Sequence, residues 1–133
     1  MNSKRRAVIA IVKCGDKILI GKKNDGAEGF LRGMWHIPGE TLEGNESYEE
    51  GAVRGIMEEA GIEIEVGRYL AEATTSNGTK VKWYECRAKT FDIKAGSDLS
   101  DIKWATLEEV ISLYGERAGT LWPVEIRRYF GIL

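Results

Sequence analysis

The chain has only two cysteines and one histidine, a net charge of −2, and no apolar run long enough to cross a bilayer. Each absence removes a class of function. Cys14 and Cys86 are isolated within segments that read as strands, so they offer neither a disulfide framework nor the spacing of a thiolate metal site. They read as small buried hydrophobes. His36, between Trp35 and Ile37, has no nucleophile partner in sight and reads as a strand residue near the pocket. Nineteen basic residues against twenty-one acidic ones supply no general attraction for a nucleic acid backbone, so a small ligand is the expected partner rather than a DNA or RNA polymer. The apolar run after Met-Asn-Ser-Lys-Arg-Arg, from Ala7 to Val12, is too short for a signal sequence or a membrane span, and a cytoplasmic protein without membrane association is expected. Repeats, low-complexity tracts and linkers are also missing, and 133 residues suit one domain.

What is present alternates between strand and helix signals. Ala7–Cys14 and Lys17–Gly21 are apolar, β-branched runs around a Gly15-Asp16 turn, which predicts a hairpin. Lys22 to Gly33 reads as a surface loop leading to an extended segment at Met34–Ile37, ended by Pro38-Gly39. Ser47-Tyr-Glu-Glu50 has the spacing of a capping box, and Gly61 followed by Ile62 is a helix stop. Between them Tyr48, Ala52, Val53, Ile56, Met57 and Ala60 fall on one broad side, predicted to pack on the core. Glu63–Thr74 and Lys80–Thr90 flank Ser76-Asn77-Gly78-Thr79 as a second hairpin. Asp101–Ala105 reads as a short strand, Thr106 as a second cap, and Pro123 as part of the first turn of a last helix ending near Tyr129. Strands, helix, strands and helices in one small chain predict an α+β domain with a mixed β-sheet between helices.

One stretch carries the chemistry. On the predicted helix Arg54, Gly55, Glu58 and Glu59 share a side, and Glu59 falls at the border of the apolar face beside Tyr48 and Ala52. A carboxylate there is costly to desolvate unless a positive charge meets it. A divalent cation would, since Mg²⁺ takes hard oxygen ligands and bridges to substrate phosphates. The bland reading is a solvated face with an ordinary Arg54–Glu58 pair worth about 0.2–0.5 kcal/mol.

The whole spacing resembles the Nudix box: Gly, five residues, Glu, seven residues, Arg-Glu, an aliphatic, one residue, Glu-Glu, one residue, Gly, an aliphatic. Glu46, Arg54, Ile56, Glu58, Glu59, Gly61 and Ile62 match it, and Trp35-His-Ile-Pro-Gly39 is similar to the family's entry into the box. The resemblance implies a MutT-like Nudix hydrolase with an α/β/α sandwich fold. Water would attack a diphosphate linkage in a nucleoside triphosphate or other nucleoside diphosphate derivative, with Mg²⁺, or Mn²⁺, as cofactor. It also implies Glu58, Glu59 and the Gly39 carbonyl as metal ligands and Arg54 as an orienting residue holding Glu46. A base outside the box would be Asp98 or Asp101, read as loop residues. Lys22 and Lys23 would meet phosphate, and Trp35, Trp83, Tyr84, Trp104 and Trp122 are the aromatics available to stack on a base. Homodimers are common among such proteins, though no segment here marks an interface.

Two positions depart from the box. Glu40 replaces its first glycine, and Gly55 replaces the glutamate after Arg54, a metal ligand in the family. Glycine inside a helix also costs about 1 kcal/mol relative to alanine. Three explanations stand: Gly55 packs against another segment, as Gly51 also could; Glu40 lends its carboxylate to the metal; or the protein is a weakened, nucleotide-binding sensor module. A domain without any ligand would leave Glu58-Glu59 unexplained.

Overall fold

The edge of β1 (Arg6–Cys14) is shared between two partners, and that division shapes the molecule. Near its end β1 pairs antiparallel with β2 (Lys17–Lys23) through the Gly15 turn, whose φ of 62° suits glycine. Further back the same edge takes β4 (Gly39–Thr41), with Val8 opposite Glu40 and Ile9 opposite Gly39. Having left β1, β2 pairs with β3 (Trp35–His36) and along its whole length with β7 (Leu99–Thr106). The other edge of β1 runs parallel to β6 (Lys80–Ala88), which pairs antiparallel with β5 (Ile64–Thr74). The result is a seven-stranded mixed sheet, as expected from the sequence. The computed structural model describes residues 5–24, 33–96 and 98–132, so residues 25–32 of the expected loop lie outside the described residues.

Both faces of the sheet are covered, which is why β1 reads as a continuous apolar run. Val8, Ala10 and Val12 point to the side of α1 (Tyr48–Ala60), where Ala52, Ile56 and Ala60 meet them. Ile11, with Ile18 and Ile20 of β2, points to the opposite side. There it meets α2 (Leu107–Tyr114), α3 (Arg117–Leu121) and α4 (Val124–Tyr129) through Val110, Tyr114, Ala118, Trp122 and Ile126. This is the predicted α/β/α sandwich. No helix among the described residues is long and apolar enough to cross a membrane.

The capping box of α1 forms as its spacing predicts: Ser47 Oγ accepts from the Glu50 N–H at 3.0 Å, and Glu50 Oε1 accepts from the Ser47 N–H at 2.8 Å. Gly61 closes the helix in the left-handed conformation. The buried face differs from the expected one. Val53 and Met57 are 41% and 43% exposed, while Gly51, Gly55 and Glu59 are buried. The cause is steric. A Cβ on Gly51 would lie 2.1 Å from Leu42 Cδ2, and one on Gly55 would lie 2.8 Å from Glu40 Cβ, so the glycine stripe lets the segment around β4 press on the helix. That contact turns the helix and leaves Val53 and Met57 in solvent.

Other expectations are corrected by pairing that local sequence does not carry. Lys22 and Lys23 belong to β2, because the ladder with β7 continues through Lys22 opposite Asp101 and Lys23 opposite Leu99. Asp101 lies in β7, as the reading of Asp101–Ala105 as a strand has it, and only its description as a loop residue falls; the strand begins two residues earlier, at Leu99. The strand β4 and the helix α3 were not anticipated. Pro123 caps α4 rather than entering its first turn. Cys86 is buried, and desolvation pushes its thiol up to about 12; Cys14 is only half-buried.

The segment between β6 and β7 folds over the end of α1. The Lys94 N–H donates to the Ala60 carbonyl at 3.0 Å and the Gly96 N–H to the Glu59 carbonyl at 2.9 Å. A Cβ on Gly96 would lie 2.2 Å from the Glu58 carbonyl oxygen, so no side chain fits there. Gly96→Ala is expected to cost about 1–3 kcal/mol, as overpacking against backbone does. Urea denaturation checks this, and an unchanged midpoint would contradict the close packing.

Candidate active site

Arg54 sits at the middle of α1 with all five of its N–H donors directed at the segment from Glu40 to Glu46 and at Glu58. Its Nε donates to Glu46 Oε2 at 2.7 Å and Nη2 to Glu46 Oε1 at 2.9 Å, the two-pronged contact expected from the sequence. Nη2 also donates to the Thr41 carbonyl at 3.0 Å. Nη1 is shared by Glu40 Oε2 and Glu58 Oε1, each at 3.1 Å. Glu46 Oε1 in turn accepts from the Glu43 N–H at 3.0 Å, which closes the loop on itself. The guanidinium holds the Glu46 carboxyl down to about 2.

Glu59 is the anomaly. It is 8% exposed, and its Oε1 is buried without a hydrogen-bond partner among the described residues. Burial, followed by the nearby charge of Glu40, pushes its carboxyl up to about 7. Glu40 is also raised, by burial first and then by hydrogen bonding with the Glu58 carboxylate. Among the described residues no three His, Cys, Asp or Glu side chains are already gathered as metal ligands. Arg54 Nη1 donates to an oxygen of both Glu40 and Glu58. The donors nevertheless suit a hard cation: carboxylate oxygens, one of them buried and unpaired, beside the glycine backbone at Gly39. A Cβ on Gly39 would lie 3.1 Å from Ile9 Cγ1 and 3.3 Å from the Val8 carbonyl, so a small residue is needed where the strand passes.

These carboxylates open onto a cleft of about 670 Å³, lined by Glu40 and Glu59 at one end and by Trp83, Tyr114 and Trp122 further in. Ala7, Val8 and Ile9 of β1 line it where that strand pairs with β4. Lys23 and Asp98 also line it, as do Thr75, Ser76, Asn77 and Thr79 around the β5–β6 turn. His36 lines it too and is 4% exposed. Its Nδ1 lies 3.1 Å from the Ile37 carbonyl oxygen, which it can only approach as a donor. Burial lowers the imidazole's pKa, so the neutral ring with Nδ1–H is favoured and Nε2 is left as an acceptor, unpaired among the described residues.

The sequence-expected residues divide accordingly. Glu40, Gly39, Glu59, Lys23, Asp98, Trp83 and Trp122 line the cleft, and Glu46, Arg54 and Glu58 stand behind its acidic end. Lys22 lies on β2 opposite Asp101, whose carboxylate accepts from the Ile102 N–H at 2.8 Å. Trp35 packs on the far core with the Lys103 ammonium 4.7 Å from its ring centre. Trp104 donates from Nε1 to the Phe91 carbonyl, and Tyr84 packs on the α1 side. Tyr114 and the residues Thr75 to Thr79 were missed. They reach the cleft through topology, and no local motif marks them.

A NUDIX domain family model matches residues 3–124. A MutT-like protein of Streptomyces ambofaciens is 30% identical over 71% of this chain and 59% of its own length. The CTP pyrophosphohydrolase of Escherichia coli K12 is 38% identical over 48% of this chain and 46% of its own. The chain thus spans about half the length of these relatives. A NUDIX hydrolase structure from Nitrosomonas europaea superposes with a TM-score of 0.74 at 19% identity, covering 92% of this chain and 76% of that one. At that identity it bears on the fold alone.

The Arg54–Glu46 contact makes stability depend on acid. Because the folded-state pKa of Glu46 lies near 2 against an ordinary 4.5, its contribution is complete above about 4.5 and is lost as pH falls through about 2. Glu46→Gln is expected to cost about 2 kcal/mol at neutral pH and to flatten the loss of stability between those limits. Denaturation midpoints across that range check it, and parallel profiles for the two proteins would contradict it.

Proposed function

The chain belongs to the NUDIX domain family, and on that footing we propose that it hydrolyses a diphosphate linkage in a nucleoside triphosphate or another nucleoside diphosphate derivative. The observation that carries this reading is the buried, unpartnered Glu59 oxygen at the acidic end of a cleft with aromatic walls. An unpaired buried carboxylate is costly to maintain unless a ligand completes it. The names of the MutT-like relative and of the CTP pyrophosphohydrolase support the same reading.

Glu58, Glu59 and the Gly39 carbonyl are the residues to hold Mg²⁺ or Mn²⁺. Bound there, the cation would neutralise the crowded phosphate oxygens and acidify the attacking water. Arg54 positions Glu58 and fixes the loop through Glu46, without itself lining the cleft. Lys23, on the cleft wall, would meet a phosphate oxygen; its neighbour Lys22 pairs with Asp101 of β7 and does not line the cleft. Asp98 lines the cleft and is the candidate to take the proton of the attacking water. Deeper in, His36 Nε2 offers an acceptor to an N–H of a nucleobase, while Trp83 and Trp122 exclude water.

The departure at Gly55 keeps one other reading in play, a module that binds the nucleotide without turning it over. Phosphate or pyrophosphate release from a panel of nucleoside triphosphates and nucleoside diphosphate derivatives, with Mg²⁺ or Mn²⁺, separates the two. Turnover of at least one compound is expected, and Glu59→Gln should lower kcat by about 100-fold or more. The same variant should raise the stability of the metal-free protein by about 1 kcal/mol, since it removes a desolvated charge. Nucleotide binding by calorimetry with no product from any compound would replace the hydrolase with the binding module.

A further inference from the structure

Glu40 and Gly55 are far apart in sequence, yet they fill one site between strand and helix. Glu40 is the middle residue of β4, held opposite Val8 of β1, and Gly55 is buried on the facing side of α1. A Cβ on Gly55 would lie 2.8 Å from Glu40 Cβ, 3.0 Å from its Cγ and 3.6 Å from its Cδ. Real Cβ atoms do not approach so closely, so the Glu40 stem and a side chain at position 55 exclude each other. Positions 55, 58 and 59 are neighbours on a helix surface, three and four residues apart. The space above Gly55 therefore leads onto the face that carries Glu58 and Glu59. Glu40 shares Arg54 Nη1 with Glu58, each at 3.1 Å, and with Glu59 it lines the small recess over Gly55. Glu59 Oε1 is buried there without a hydrogen-bond partner among the described residues.

We propose that Glu40 and Gly55 work as one unit, in which the strand delivers through the gap left by glycine the third carboxylate of the cation site begun by Glu58 and Glu59. This rests on the reading of Glu58 and Glu59 as cation ligands. It also accounts for the helix tolerating a buried glycine: a β-carbon at 55 would displace the carboxylate that the strand supplies. A purely structural Glu40 would do no more than accept one hydrogen bond from Arg54, which already has both Glu46 oxygens.

The two roles separate in an exchange experiment on the full chain. Wild type, Glu40→Gly, Gly55→Glu, the double variant Glu40→Gly/Gly55→Glu and the isosteric Glu40→Gln are compared for Mn²⁺ affinity. The free Mn²⁺ signal in electron paramagnetic resonance reads the affinity, and circular dichroism confirms folding. Glu40→Gly and Glu40→Gln should each weaken Mn²⁺ binding about 10- to 100-fold. Gly55→Glu alone, forced against the Glu40 stem, should also bind more weakly. The double variant, with the carboxylate moved to the helix and the stem removed, should return to within about threefold of wild type, a strongly non-additive cycle. Wild-type affinity in Glu40→Gln, or a folded double variant no better than Glu40→Gly, would overturn the unit while leaving Glu58 and Glu59 as ligands. Mn²⁺ binding too weak to detect in wild type would instead overturn the cation site itself, and this proposal with it.

Discussion

Burial of the Glu59 carboxylate is the constraint around which the molecule is arranged. A charge at 8% exposure with an unpaired oxygen is unfavourable in the protein alone, and its carboxyl is displaced to about 7 as a result. Helix α1 nevertheless holds it there, because Ala52, Ile56 and Ala60 on the same face are committed to the sheet. Loop backbone at Gly96 closes over the last turn and hydrogen-bonds the Glu59 carbonyl, so the helix end has little freedom to swing the side chain out. The stability given up at one side chain is the kind of local conflict expected at a functional site.

Arg54 is what keeps the remaining acidic groups from flying apart. Glu40, Glu43, Glu46 and Glu58 all lie within 4.0 Å of its guanidinium, and without it the loop and the helix would present like charges to one another. Its strongest engagement is with Glu46, which is 15% exposed, while Glu58 is 55% exposed and so is readily available to a ligand. The guanidinium thus divides its partners into a fixed anchor, Glu46, and a more exposed carboxylate, Glu58.

The sequence was most readable where structure is set by near neighbours. The capping box at Ser47, the stop at Gly61 and the Gly15 turn follow from spacing within a turn or two of chain and appear as read, and the Arg54–Glu46 contact that the family resemblance implies is also present. The order of strands and helices was legible for the same reason. Strand β4 and the extension of β2 through Lys22 and Lys23 were not, since each depends on a partner distant in sequence. The same limit explains Val53 and Met57: helical periodicity gives a direction for the apolar face, but the glycine stripe against Leu42 and Glu40 sets the actual rotation. For the cleft, Glu59 at its acidic end was singled out in the sequence, whereas Tyr114 and the turn from Thr75 to Thr79 reach it from elements distant in sequence.

On the proposed function, Glu59 is buried to meet a cation beside the Gly39 backbone. Crystals soaked in MnCl₂ and measured at the manganese absorption edge test it most directly. An anomalous peak is expected within coordination distance of a Glu59 carboxylate oxygen and the Gly39 carbonyl. Manganese found only on exposed surface carboxylates, with Glu59 Oε1 still without a partner, would contradict it.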